Sequence, residues 1–357
     1  MAAIEVTGTA QRRSWDSAGL PDVERVRPGL WSVPVPLPRN PLRYVLVYLL
    51  ELPGGLAVID TGWSTEEAWD ALVAGMGVAG YAPSDVKAVL ITHIHPDHYG
   101  LAGRLREASG AWVALHPADA ALIPARYGID VPTLLANMSA LLIEAGVPED
   151  MREELTGASM GIREFVAAAE PDVLLEDRAP VPLQGWDLIT LHTPGHSPGH
   201  VCFHDRERRL LFSGDHVLPR ISPSVAVHVQ QPDNPLADFL DALARVRDMD
   251  IDEVLPAHEW RFRGLAPRVD ELLEHHRRRL DETEAAITAS PGITCWETTL
   301  RLRWSRDWSE IHGFMRRAAV GETLAHLVLL ERSGRVHSSG ERPVQWYPLA
   351  KGERAAG

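Results

Sequence analysis

Cysteine is almost missing from this chain: Cys202 and Cys295 are the only two in 357 residues. With no CxxC pair, they exclude a disulfide framework and a thiolate zinc site. Long apolar runs are missing too. The longest near the start, residues 44–50, falls far short of a bilayer span, and residues 1–15 hold no apolar core of signal-peptide type. A soluble cytoplasmic protein without a membrane partner is the expectation. Positive charge is scarce, with 35 Lys/Arg against 49 Asp/Glu and a net charge of −14. Phosphate backbones are gripped by Lys and Arg, so this balance argues against a general affinity for nucleic acid. The deficit is lopsided: residues 265–357 hold 14 Lys/Arg and 13 Asp/Glu, which leaves the acidity in residues 1–264.

What is present is ordinary globular material, 45% hydrophobic and 24% charged, at a length that suggests two domains. Pro34, Pro36, Pro38 and Pro41 predict an extended entry segment. Residues 44–50 and 56–59 read as strands joined by a Gly54-Gly55 turn. A helix is expected over 65–76, with Ser64 or Thr65 as its N-cap and Glu66-Glu67 in the first turn. A strand over 87–91, a helix over 101–109 and a strand over 111–115 follow. Residues 117–170 are helical in pattern and read as an insertion covering one side of a site. Strand signals return at 188–191, 201–203 and 210–212. Strands alternating with helices and then pairing as hairpins indicate a layered α/β fold with mixed sheets. Residues 267–289 read as one long helix, with His275-His276-Arg277-Arg278-Arg279 along one face.

The chemistry is concentrated in Thr92-His93-Ile94-His95-Pro96-Asp97-His98, directly after the 87–91 strand. Imidazole and carboxylate donors suit zinc and related divalent ions. Residues two apart in an extended segment point the same way, so His93 and His95 can reach one ion together. Asp97 and His98 lie on the following turn, offset enough to hold a second. Three later segments repeat one form, a short apolar run ending in a candidate ligand: His196 in Thr193-Pro194-Gly195-His196, Asp215 in Phe212-Ser213-Gly214-Asp215, and His258 in Leu255-Pro256-Ala257-His258. Strand-to-loop transitions are where function sits on a rigid scaffold.

These motifs, together with Asp60-Thr61-Gly62, resemble the metallo-β-lactamase superfamily over residues 30–264. The resemblance implies an αββα sandwich with two metal ions at one edge. It assigns His93, His95 and His196 to the first ion, Asp97, His98 and His258 to the second, and Asp215 to both. Asp60 would orient a ligand imidazole, and His200 would stand behind the ligands or be structural; His192, His204 and His216 would not be ligands, and His216 would point away if Asp215 points in. Two such ions hold a bridging hydroxide that attacks a carbonyl or phosphoryl centre, with Asp97 steering the water or taking its proton; no serine or cysteine nucleophile is required. An Asp bridge points away from β-lactam hydrolysis and toward the glyoxalase II-like group. The expected cofactor is two divalent ions per chain, zinc first, with iron or manganese admitted by the same donors. The expected partner is a small thioester, ester or lactone; a phosphodiesterase or endoribonuclease is the alternative. Tyr99 and Arg220 are candidate substrate contacts. Tyr99 either offers its hydroxyl to an oxyanion or packs on the neighbouring helix, and Arg220 either binds a substrate anion or forms a surface ion pair.

The expected division is a hydrolase domain over 1–264, a connecting helix over 265–289 and a module over 290–357. In that module, helices over 308–315 and 321–331 and a hairpin over 335–347 resemble a winged helix, a small α+β domain. Its near-neutral balance disfavours DNA binding and favours a role in shaping the substrate pocket or a homodimer interface. Trp296, Trp304, Trp308 and Trp346 would anchor its core or that interface.

Overall fold

A computed structural model describes residues 4–128, 131–231 and 234–349. Contacts divide the chain into two compact units, each discontinuous in sequence. The first takes residues up to 127, 162–223 and 242–270; the second takes 128–161, 224–241 and 271 onward. The second unit is therefore wider than a module beginning at 290, and most of the 117–170 segment belongs to it. Residues 350–357 of the expected module lie outside the described residues.

In chain order the strands of the first unit are β1 (Glu5–Val6), β2 (Glu24–Arg27), β3 (Leu30–Pro36), β4 (Tyr44–Leu52), β5 (Gly55–Ile59), β6 (Val86–Leu90), β7 (Trp112–Leu115), β8 (Val173–Leu174), β9 (Leu188–His192), β10 (Val201–Asp205), β11 (Leu210–Gly214), β12 (Glu253–Pro256) and β13 (Phe262–Arg263). Strands β2 to β8 form a seven-stranded sheet in sequential order, and the other six form a second sheet in the order β1-β13-β12-β11-β10-β9. Both are mixed: β5-β6, β6-β7, β7-β8 and β11-β12 pair in parallel, the rest antiparallel.

Strand β4 explains the layering. Every residue from Tyr44 to Leu50 is buried, because successive side chains point to opposite faces and both faces are covered. Val45, Val47 and Leu49 pack with Leu72, Met76, Leu101 and Leu105 from helices on the outer side. Leu46, Tyr48 and Leu50 pack with Val201, Phe203, Phe212 and Leu255 of the second sheet. The helix expected over 65–76 is Glu66–Val78, and Thr65 is its N-cap, accepting from the Ala68 N–H at 3.2 Å.

The entry segment departs from expectation. Residues 9–16 form a helix that buries Trp15 and Gln11, and Pro34 and Pro36 lie inside β3. Beyond Ser32 that strand pairs only with β4, so both prolines sit on an edge, where a missing N–H costs no ladder bond.

The second unit carries helices Val131–Glu144 and Glu149–Gly157 and strands β14 (Ile293–Thr294), β15 (Val336–Ser338) and β16 (Gln345–Pro348), paired in the order β14-β16-β15. Leu142, Ile287, Trp296, Leu327 and Trp346 share its core, with Trp308 against it. The two helices expected over 308–315 and 321–331 are instead a short 3-10 turn, Trp308–Glu310, and one continuous helix, Gly313–Arg332. Arg316 to Val320 contains no breaker, and Gly321 marks close approach rather than a break. A Cβ there would meet Ala226 and the Val227 carbonyl at 3.0 Å each. Nor is the 275–279 run one face of its helix, Leu265–Ala289: His276 and Arg279 are buried while Arg277 and Arg278 are exposed, as five consecutive residues of a 3.6-residue turn must be. Among the described residues no helix is long and apolar enough to cross a membrane.

Candidate metal centre

The loops after β5, β6, β9, β11 and β12 all emerge at one end of the two sheets, and backbone bonds fix them to one another. The Val201 N–H donates to the Thr92 carbonyl at 2.8 Å, Ala257 to Gly214 at 3.0 Å and Leu46 to Ala257 at 2.6 Å. This end collects every residue the HxHxDH motif and its three later counterparts nominate.

His93 and His95 follow β6, His95 in extended backbone, and Pro96 then starts a single helical turn, Pro96–Tyr99, which swings Asp97 and His98 to another side. His93 Nε2 faces His95 Nδ1 at 2.9 Å, and the latter faces His196 Nε2 at 3.0 Å. Beside this triad lies a second set. His258 Nε2 is 3.3 Å from Asp97 Oδ2, and His98 Nε2 is 3.6 Å from the same oxygen. Asp215 reaches both: its Oδ2 is 3.4 Å from His196 Nε2, while its Oδ1 is 3.4 Å from His258 Nε2 and 3.6 Å from His98 Nε2. Donor atoms within each of the groups His93-His95-His196, His93-His98-Asp215 and Asp97-His98-His258 lie within 4.8 Å of one another.

These residues fit a divalent metal centre. His98 Nε2, His258 Nε2 and Asp215 Oδ1 are buried and have no hydrogen-bond partner. Buried polar atoms are normally satisfied, so three facing orphans of ligand type indicate that a cation completes them. The imidazoles are pre-oriented for that task. His258 Nδ1 faces the Tyr44 carbonyl at 2.9 Å, which puts the proton on Nδ1 and leaves Nε2 as the donor atom. His98 Nδ1 faces Asp60 Oδ2 at 2.8 Å. Asp60 is buried, holds a positive φ of 60° and accepts the Thr92 N–H at 2.8 Å, a strained backbone kept by the bonds around it.

Electrostatics separate the two sets. Burial, then the neighbouring imidazoles, holds His93 and His95 well below the usual histidine range, in the neutral form a metal requires. Burial acts the same way on His98 and His258, but Asp97 and Asp215 overcome it, and both are raised. Asp215 is well below the carboxylate range despite burial, because His258 and His98 face it.

His200 lies outside both sets. Its Nε2 accepts the Asp215 N–H at 3.1 Å and its Nδ1 faces Thr193 Oγ1 at 2.8 Å, so it steadies the backbone of Asp215. His192 stacks on His116 at 4.0 Å with its Nε2 toward the Pro198 carbonyl, and neither His204 nor His216 joins a metal group. Tyr99 is buried with its hydroxyl on Ala169. Arg220 is half exposed, and its Nε donates to the buried Glu259 at 2.8 Å. Gly195-His196-Ser197-Pro198-Gly199 spells GxSxG, a serine-nucleophile pattern in other folds. Here Ser197 is buried and donates to Asp119 Oδ2 at 2.7 Å rather than to an imidazole. Asp119, Thr92 and Tyr127, whose hydroxyl donates to the Ile94 carbonyl at 2.6 Å, support the centre and were not singled out from the sequence. Thr92 was at least adjacent to the motif; nothing in the sequence marks Asp119.

The profile described as the metallo-beta-lactamase superfamily matches residues 40–258. A probable metallo-hydrolase of Bacillus subtilis, YqjP, is 24% identical over 317 residues, covering 86% of this chain and 94% of that protein. Acyl-coenzyme A thioesterase MBLAC2 of Gallus gallus is 30% identical over 209 residues, 56% of this chain and 67% of its own length. The crystal structure of a metallo-beta-lactamase family protein from Thermus thermophilus is similar at a TM-score of 0.76 and 33% identity, over 91% of this chain and 100% of that one.

Proposed function

This chain belongs to the metallo-beta-lactamase superfamily, and we propose that within it the chain is a dinuclear hydrolase of a small thioester, ester or lactone. The observation that carries this reading is Asp215, which offers one carboxylate oxygen to each of two donor sets. His93, His95 and His196 would hold one ion and Asp97, His98 and His258 the other, with zinc the best match to these donors. When bound, the ions supply Lewis acidity, lowering the pKa of water and polarising a carbonyl oxygen. The chain's own part is orientation and proton handling. Asp97 keeps 15% of its side chain exposed against 9% for Asp215, so it is the carboxylate suited to take a proton from an incoming water.

The thioester class is supported by the likeness to MBLAC2, named an acyl-coenzyme A thioesterase. The second reading, an endoribonuclease, draws on the C-terminal order of helix, strand, three helical segments and hairpin, which we read as winged-helix-like. Its charge speaks against that role: 14 Lys/Arg face 13 Asp/Glu over residues 265–357, little to neutralise phosphates.

Metal analysis of the purified chain is expected to give about two ions per chain, and the His95→Ala, Asp97→Ala double variant to lose both metal and activity. A panel of acyl thioesters, lactones and single-stranded RNA then selects the substrate class. Cleavage of RNA alone, suppressed by salt, would overturn the thioester reading, and a chain that binds no metal would overturn the whole.

A further inference from the structure

We propose that Asp119 is the positioning residue of the first donor set, clamping the loop of His93 and His95 to the loop of His196. The inference rests on the metal reading above and concerns what holds the three imidazoles at their spacing. Asp119 is fully buried in a four-residue helix, Pro117–Ala120. Its Oδ2 accepts the Ile94 N–H at 2.9 Å and the Ser197 hydroxyl at 2.7 Å, and its Oδ1 accepts the Gly199 N–H at 2.7 Å. Ile94 lies between His93 and His95, and Ser197 follows His196. One carboxylate thus grips the backbone between two ligands and the side chain next to the third.

The fit leaves no slack. A Cβ on Gly199 would come within 2.5 Å of the Asp119 backbone nitrogen and 2.7 Å of its Cγ, so this loop can close on the carboxylate only with glycine there. A buried carboxylate is costly without partners, and all three of these donors belong to the two ligand loops. Asp60 is a second buried carboxylate behind the centre: it faces His98 Nδ1 of the second set at 2.8 Å and accepts the N–H of Thr92, next to His93, at 2.8 Å. The Asp119 carboxylate, by contrast, contacts only the loops of the first set. Because ligand geometry tolerates only fractions of an ångström, loss of such a support weakens metal binding by about 10–100-fold.

Cobalt titration of the full-length chain, stripped with chelator and followed by visible absorption and zinc competition, tests this. Asp119→Asn keeps the side chain's size but replaces one acceptor oxygen with a donor amide. It is combined with Asp97→Ala, which removes a ligand of the second set, and separately with His95→Ala, which removes one of the first. In the Asp97→Ala background the remaining ion is expected to bind about 10–100-fold more weakly when Asp119→Asn is added. In the His95→Ala background the remaining ion is expected to bind as before. An equal effect in both backgrounds, or none in either, overturns the proposal. If Asp119→Asn does not fold, Ser197→Ala removes one of the three donors and is expected to give the same selective pattern with a smaller loss. A parent chain that binds no cobalt would instead remove the metal reading itself, a failure seen before any variant is made.

Discussion

Tyr99 follows the last ligand of the HxHxDH run, where a phenol could serve an oxyanion, yet both functions of its hydroxyl are already used. It donates to the Ala169 carbonyl at 2.5 Å and accepts the Ala169 N–H at 2.7 Å, with no exposed surface. Tyr99→Phe would leave two buried backbone groups without a partner, at about 1–3 kcal/mol each. The expected outcome is a lower melting temperature with KM and kcat on a cleaved thioester close to the parent's. A selective fall in kcat at unchanged stability would return the tyrosine to the reaction. The same contrast governs what could be read at this scale. His93, His95, Asp97 and His98 were visible because four donor-type residues crowd into six positions directly after a strand. Asp119 was not, because its partners lie 25, 78 and 80 residues away, and a single aspartate in a short helix has no period to betray it.

Elements were legible wherever burial on a known face wrote a pattern. The apolar run of β4 and the caps of Glu66–Val78 are of this kind, and so is Leu265–Ala289. Pro34 and Pro36 are extended as read, inside β3; what they could not announce is the helix over residues 9–16. The gap expected over 316–320 does not exist, because those residues contain no breaker and the helix runs on through Gly321 to Arg332. Helix packing in the second unit also creates a titration that neither helix would show alone. His276 on Leu265–Ala289 is 5.5 Å, ring to ring, from His326 on Gly313–Arg332, and both are buried. Burial, with Arg279 and His275 nearby, lowers His326 to about 4, while Glu322 contributes its backbone carbonyl at 2.8 Å and its side chain faces Arg279 at 3.9 Å. Phe239 packs on His276 from a third segment. A depressed histidine is protonated more readily in the unfolded chain, so stability present above the ordinary pKa near 6.5 is lost as pH falls toward 4. The unfolding midpoint of the parent is expected to drop between pH 7.5 and pH 5. In His326→Gln that drop should be smaller. Parallel pH profiles for the two chains would remove His326 from the account.

At the scale of the whole molecule, the acidity concentrated in residues 1–264 meets a centre that buries carboxylates and imidazoles together. Asp60, Asp119 and Asp215 are all buried, as are His93, His98 and His258, and a folded chain holds such groups at a cost unless something compensates them. Part of the compensation is internal, from the backbone N–H groups that Asp60 and Asp119 accept. A further part comes from the facing carboxylates and imidazoles of the second set, yet three ligand-type atoms there make no hydrogen bond. Bound cations would therefore act on folding as well as on chemistry. An ion held at 100 times its Kd adds about 2.7 kcal/mol to stability, and two such ions would raise the melting temperature of a domain this size by roughly 10–20 °C. Calorimetry on the full-length chain before chelation, after it and after zinc is restored reads this directly. Chelation is expected to lower the melting temperature and zinc to bring it back. A melting temperature indifferent to both would mean that the orphaned donors are not what the fold relies on cations to satisfy.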